Sequence, residues 1–143
     1  MSREIKFRCW NGEKMLRVDE LVIDPDGKVS CYGFDTKWKD GDDPRKWVSD
    51  GIFMQYTGLR DVNGKEVYEG DVVMRTYGFT KSGKPKYAVD EIVYRDEYGG
   101  FYFMGRDHIV KGSIGYTHIY GGHKVNPWEV IGNVHENPEL LNV

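Results

Sequence analysis

A mainly-β chain is what this sequence encodes, on three grounds. Aromatic residues make up 14% of the 143, with ten Tyr and four Trp, beside eighteen Gly and only five Pro. That mixture favours short strands and tight turns over long helices. Apolar and polar residues alternate through many short runs, the period-2 signature of strands with one buried face. Turn dipeptides separate these runs, among them Asn11-Gly12, Asn63-Gly64 and Gly99-Gly100, which tolerate the positive φ that tight hairpins demand.

The first run, "EIKFRCW", sets Ile5, Phe7 and Cys9 on one side and Lys6, Arg8 and Trp10 on the other, which predicts a strand. Asn11-Gly12 leads into a second strand, Met15 to Ile23, closed by the turn Asp24-Pro25-Asp26-Gly27, and "KVSCYGF" supplies a third. From Asp35 to Asp50 the pattern dissolves into charge, Gly and Pro. This reads as a loop, with Trp38 and Trp47 as anchors to the body, and it bounds an N-terminal β-rich extension, residues 1–50.

In residues 51–143 the alternation resumes with "IFMQYTG", turns at Asn63-Gly64, and re-enters a strand at Gly70-Asp71. There the glycine takes a conformation that a Cβ would forbid, and the short Asp side chain caps the turn. Three more β-rich runs follow, "YAVDEIVYRD", "GGFYFMG" and "WEVIGNVHE". Their spacing, after a Gly-Asp entry into a Val-rich strand, predicts an SH3-like, strongly bent β-barrel over about residues 52–136. Within it "EIVYRD" and "GGFYFMG" pair across the 96–100 turn, with positive φ at Gly99 and Gly100. "WEVIGNV" returns to an earlier strand, Val130 and Gly132 on one face and Ile131 on the other. The extension holds too few aliphatics to fold alone, so it is expected to pack on the barrel and make 1–143 one compact unit. Asn137 before Pro138 predicts a capped, short helical turn at the end.

A charged fraction of 30% with net charge −3 describes an ordinary soluble surface and excludes a globally basic nucleic-acid binder. No apolar run approaches the roughly twenty residues that span a bilayer, and "MSREIKFRCW" holds no signal-peptide core. Cys9 and Cys31 have no partner spacing and read as packed free thiols of a reducing cytoplasm.

Several motifs invite chemistry and fail its geometric requirements. Asp24-Pro25-Asp26-Gly27 and Asp61-Val62-Asn63-Gly64 begin like calcium loops, but position twelve from Asp61 is Val72 rather than a bidentate Glu, so both read as turns. His108, His118, His123 and His135 lack the spacing and the fourth ligand of a zinc site. Asp90-Glu91 and Asp96-Glu97 are adjacent, so in strands each pair points to opposite faces. No catalytic residue, cofactor or metal is assigned on these grounds. One segment stands apart electrostatically. Met74 to Val89 carries Arg75, Lys81, Lys84 and Lys86 with no acidic residue, and Tyr77, Phe79 and Tyr87 lie between them. Cations interleaved with stacking aromatics are what single-strand and RNA-binding surfaces use. The plainer alternative is a hairpin loop kept soluble by its lysines.

Three blocks carry a resemblance: "REIKFRCW" followed by "KM", then "MQYTGLRDVNGKEVYEGDVV", then "WEVIGNVHENPELL". Together, and in that order from near one end to the other, they resemble the YopX family of bacteriophage and prophage proteins. Cys9 stands where an alanine is usual before the tryptophan, and Asn11 where an acidic residue is frequent. The resemblance implies a phage or prophage setting in the cytoplasm of a bacterial host, and it brings no catalytic residue or cofactor. The expected function is a non-enzymatic binding module acting on single-stranded nucleic acid or on a host or phage protein. Two alternatives remain: a small metal-dependent hydrolase or nuclease built on His118, His123 and nearby carboxylates, and a self-associating structural phage component, a homo-oligomer joined through Tyr- and Phe-rich strands such as "GGFYFMG".

Overall fold

A computed structural model describes residues 4–35, 45–114, 118–120, 123–125 and 128–142, with only the backbone at 118–120 and 123–125. The chain divides into two compact units, Met1–Tyr56 and Thr57–Val143.

The first unit is an antiparallel sheet of β1 (Phe7–Trp10), β2 (Met15–Ile23), β3 (Val29–Phe34), β4 (Lys46–Val48) and the start of β5 (Ile52–Arg60), in the order β4-β3-β2-β1-β5. The three strands expected before residue 35 are present. Strand β4 lies in the stretch read as loop and pairs with β3, Tyr32 opposite Trp47. Those two rings meet edge-on at 4.9 Å, an aromatic cross-strand contact that holds a three-residue strand too short to show alternation. Trp38 lies outside the described residues.

Side chains build the turns, and at Asn11-Gly12, where the sequence predicts a hairpin turn, only the glycine takes positive φ. Asn11 Oδ1 accepts the N–H groups of Glu13 and Lys14, each at 2.8 Å. Asp24 Oδ1 accepts those of Asp26 and Lys28 at 3.0 and 2.9 Å. Such an Asx turn needs ordinary φ at its first residue and leaves the left-handed position to the glycine, here Gly12 at φ +101° and Gly27 at +82°.

Cys9 and Cys31 have no exposed surface and Met54 and Leu16 almost none. Both cysteines are free. Burial, and then the neighbouring Cys31, pushes the Cys9 thiol up to about 12, so it stays protonated and inert at neutral pH. The packing leaves no room beside it. A Cβ on Gly51 would overlap Cys9 Sγ and sit 2.9 Å from Val48 Cγ1. Gly51→Ala should therefore destabilise by about 1–3 kcal/mol, the usual cost of overpacking. Urea denaturation checks it in two backgrounds: with Cys9→Ala already in place, the sulfur is gone and the added cost should fall by more than half. An equal cost in both would show that the clash is relieved elsewhere.

The second unit contains the rest of β5, β6 (Glu66–Tyr68) beside it, and a five-stranded antiparallel sheet. That sheet is built from β7 (Asp71–Phe79), β8 (Pro85–Arg95), β9 (Gly100–Met104), β10 (Val110–Ser113) and, after the two-stranded β11 (His118–Tyr120) and β12 (His123–Val125), β13 (Trp128–Asn133). Its order is β10-β9-β8-β7-β13. The β8–β9 hairpin pairs Arg95 with Gly100, as expected, although only Gly99 takes positive φ, at +63°; Gly100 already belongs to the strand. Strand β13 does return to an earlier strand, β7. A bulge between Val130 and Gly132, facing adjacent Val73 and Val72, breaks the simple alternation expected there, because the extra residue is left unpaired.

Over 52–136 the described residues form no closed barrel. Among the described residues no pairing joins β10 to β13, and both sheets are open. Strand β10 has four residues and a bulge between Val110 and Gly112, which leaves little straight ladder to offer a neighbour across a seam. Strands β10, β11 and β12, of 4, 3 and 3 residues, are too short for alternation to reveal them.

Val67, Val73, Ile92, Phe103, Ile114, Trp128 and Val130 form the buried core of this unit. Two aspartates tie its turns to its strands. Asp61 Oδ1 accepts Asn63 and Lys65 N–H, each at 2.9 Å, while Oδ2 reaches Val130 N–H at 2.9 Å. Asp71 Oδ2 accepts Tyr68 N–H at 2.8 Å beside Gly70 at φ +87°, so the Gly-Asp entry works as its chemistry predicts. The terminal turn is a 3-10 helix, Pro138–Leu141, with Asn137 at its N-cap as expected but without a side-chain cap bond; the Asn137 Oδ1 accepts Asn133 N–H at 3.2 Å instead. No helix among the described residues is long and apolar enough to cross a membrane.

Candidate nucleic-acid interface

The basic-aromatic segment forms the β7–β8 hairpin, and strand lengths explain why its tip is bare. Strand β13 accompanies β7 only from Asp71 to Arg75, and β9 accompanies β8 only from Glu91 to Arg95. Among the described residues the hairpin between them therefore continues as a two-stranded ribbon. A bulge between Thr76 and Gly78 bends it. At its end Thr80 Oγ1 accepts Lys84 N–H at 3.0 Å, with Gly83 in the left-handed position at φ +84°.

Lys81, Lys84 and Lys86 are exposed on this ribbon. Tyr77, Phe79 and Tyr87 are 59%, 64% and 57% exposed, so these rings are not core and present area for stacking. Arg75, the seventh residue singled out by sequence, sits apart at the ribbon's root. Its Nε donates to Asp90 Oδ2, an aspartate whose side chain is 2% exposed, and its guanidinium lies 5.3 Å from the centre of the Phe103 ring. This cation is committed to a buried partner.

At the same root lies a cleft of about 570 Å³. Arg75, Tyr77 and Tyr87 line it together with Arg106, Asp107 and Lys111. Arg106 and Asp107 come from the β9–β10 connection, where His108 takes a left-handed φ of +61° and donates its N–H to Gly105 O at 2.9 Å, and Lys111 follows in β10. Lys111 Nζ lies 2.8 Å from Asp107 Oδ2. The Lys111 ammonium, and after it the Ile109 N–H, hold the Asp107 carboxyl below its ordinary range. Arg106 Nη2 donates to Leu140 O at 3.1 Å. Buried Gly105 forms part of the wall, where a Cβ would come within 2.7 Å of Lys111 Cε and 2.8 Å of Asp107 Oδ1. Nothing in the sequence linked Arg106 and Lys111 to Arg75; the only signal was an isolated pair of cations between two glycines, Gly105 and Gly112.

The neighbouring carboxylates Asp90 and Glu91 do not act as a couple. Asp90 is paired with Arg75. Burial pushes the Glu91 carboxyl up, His108 draws it down and Glu69 pushes it up again. His108 is exposed; the side chains of His118 and His123 lie outside the described ones. Among the described residues no group of three or more His, Cys, Asp or Glu is placed to hold a metal ion.

Among the described residues two larger antiparallel sheets, a two-stranded one, a single 3-10 turn and a basic-aromatic ribbon define a mainly-β protein. The chain belongs to the YopX protein family, whose match covers residues 6–142. Among solved structures it is similar to the crystal structure of protein EF1440 from Enterococcus faecalis, at 28% identity and TM-score 0.62, over 98% of this chain and 99% of that one. No curated protein matches it.

Proposed function

We propose that this protein is a non-enzymatic module that binds single-stranded nucleic acid in the cytoplasm of a bacterium carrying the phage or prophage that encodes it. The observation that carries the reading is the exposure of Tyr77, Phe79 and Tyr87 on one ribbon with Lys81, Lys84 and Lys86. Each base has a π-face that such a ring can stack on whatever its identity, while lysines follow the phosphates. The order β10-β9-β8-β7-β13, a four-strand meander whose first strand is joined by the last, supports reading the second unit as an open relative of SH3-like barrels. Folds of that kind bind through rim loops and hairpins, an analogy at the level of fold.

Titration of labelled single-stranded DNA and RNA oligonucleotides at two salt concentrations tests the proposal. Affinity should fall with salt by a log–log slope of about −0.7 for each phosphate neutralised, and Lys81→Ala, Lys84→Ala and Lys86→Ala together should reduce that slope by about 2. Tyr77→Ala or Phe79→Ala should each weaken binding by about 1–3 kcal/mol. Binding that is insensitive to salt, or unchanged in the triple variant, would remove the proposal.

A further inference from the structure

We infer that the cleft at the root of the β7–β8 ribbon is a pocket for one nucleotide together with its phosphate, an inference that rests on the reading of the ribbon as a nucleic-acid surface. The cleft measures about 570 Å³, within the roughly 300–1,000 Å³ of small-molecule sites. Its lining combines two chemistries. Tyr77 and Tyr87 line it from the ribbon, each more than half exposed, and supply aromatic faces for a base. Arg106 and Lys111 join the lining from β10 and the connection before it.

The charges explain why the ligand carries both a base and a phosphate. Three cations and two carboxylates line the cleft. Arg75 is neutralised by buried Asp90, so it forms a rigid wall and adds little attraction. Lys111 shares its charge with Asp107, whose side chain is half exposed, and an exposed pair of this kind yields readily to a stronger anion. Arg106 spends one N–H on the Leu140 carbonyl out of the five a guanidinium offers. A bare anion thus meets two usable cations and one opposing carboxylate, a weak site, and stacking must contribute the rest. Gly105 keeps the wall clear, since a side chain there would strike Lys111 and Asp107. A strand lying along Phe79 and the lysines would then place one of its nucleotides in the cleft.

The test titrates the full chain with adenosine 5′-monophosphate, uridine 5′-monophosphate, adenosine and inorganic phosphate, read by amide chemical-shift changes. Either nucleotide should bind about tenfold tighter than adenosine or phosphate alone, because stacking and charge-assisted hydrogen bonds each contribute about that factor. Arg106→Ala and Lys111→Ala should each weaken nucleotide binding several-fold, and Tyr87→Ala likewise. Asp107→Asn should strengthen it, an opposite sign that loss of folding would not produce. Phosphate binding as tightly as the nucleotides, or nucleotide binding indifferent to Arg106→Ala and Lys111→Ala, overturns the inference. If mononucleotides fail to bind while oligonucleotides still bind through Lys81, Lys84 and Lys86, the cleft inference falls alone. If mononucleotides bind and oligonucleotides do not, the ribbon reading falls and the cleft stands as a site for free nucleotides.

Discussion

Arg75→Ala is expected to cost the protein about 3–5 kcal/mol, the penalty for leaving a buried charge without its partner. Asp90 has 2% of its side chain exposed, and the Arg75 Nε is the hydrogen-bond donor that faces it. The same change also strips a guanidinium from the face of Phe103, a core residue. Urea denaturation followed by tryptophan fluorescence gives the number. Two further variants separate charge from packing. Asp90→Asn leaves Arg75 able to reach solvent through its 20% exposure and should cost less than Arg75→Ala. Arg75→Met combined with Asp90→Leu removes both charges and should recover most of the loss, because a buried ion pair is often no better than well-packed apolar groups. A loss below about 1 kcal/mol for Arg75→Ala would show that Asp90 finds another way to bear its charge.

The second large effect is expected at Asp61. Its carboxylate accepts three backbone N–H groups, two within its own turn and one from Val130 in β13, 69 residues away in sequence. Alanine leaves all three without an acceptor. Unmade bonds to buried or partly buried donors cost about 1–3 kcal/mol each, and water reaches the turn more easily than β13, so a total of about 3–5 kcal/mol is expected. Asp61→Asn divides the effect. One amide oxygen can still serve Asn63 and Lys65, but the amide NH₂ then meets the Val130 N–H donor to donor. Asn should therefore destabilise by less than Ala and should speed hydrogen exchange at Val130 more than at Lys65. Equal exchange at both amides would contradict the division.

That aspartate shows how far turn chemistry could be read in advance. "DVNG" announces a turn because Asp and Asn offer side-chain acceptors and Gly offers the left-handed conformation, and the turn is there, with Gly64 at φ +81°. Its second role, holding β13 through Oδ2, needs a partner 69 residues downstream, which no local pattern encodes. The same division runs through the candidate site. Tyr77, Phe79, Tyr87 and the three lysines were legible as a group because they are close in sequence and free of acidic neighbours. Arg75 belongs to the same run of sequence, yet its strand position turns it to Asp90, a register that only the folded sheet sets.

What the sequence determined by itself is local: strand periodicity in the longer runs, the glycines at left-handed positions, and the basic-aromatic character of residues 74–89. These follow from a residue and its near neighbours, through φ, side-chain alternation and charge. Tertiary structure alone decided the rest. It drew three-residue β4 into a sheet by pairing it with β3. It left the second sheet open, with β10 short and bulged. It set the lengths of β9 and β13 against β7 and β8, so that the ribbon projects and its rings stay bare. It also brought Arg106 and Lys111 beside Tyr77 and Tyr87 to make the cleft. All of these are pairings between segments distant along the chain, and they depend on which backbone ladder meets which, a property of register and strand ends that a single run of residues does not contain.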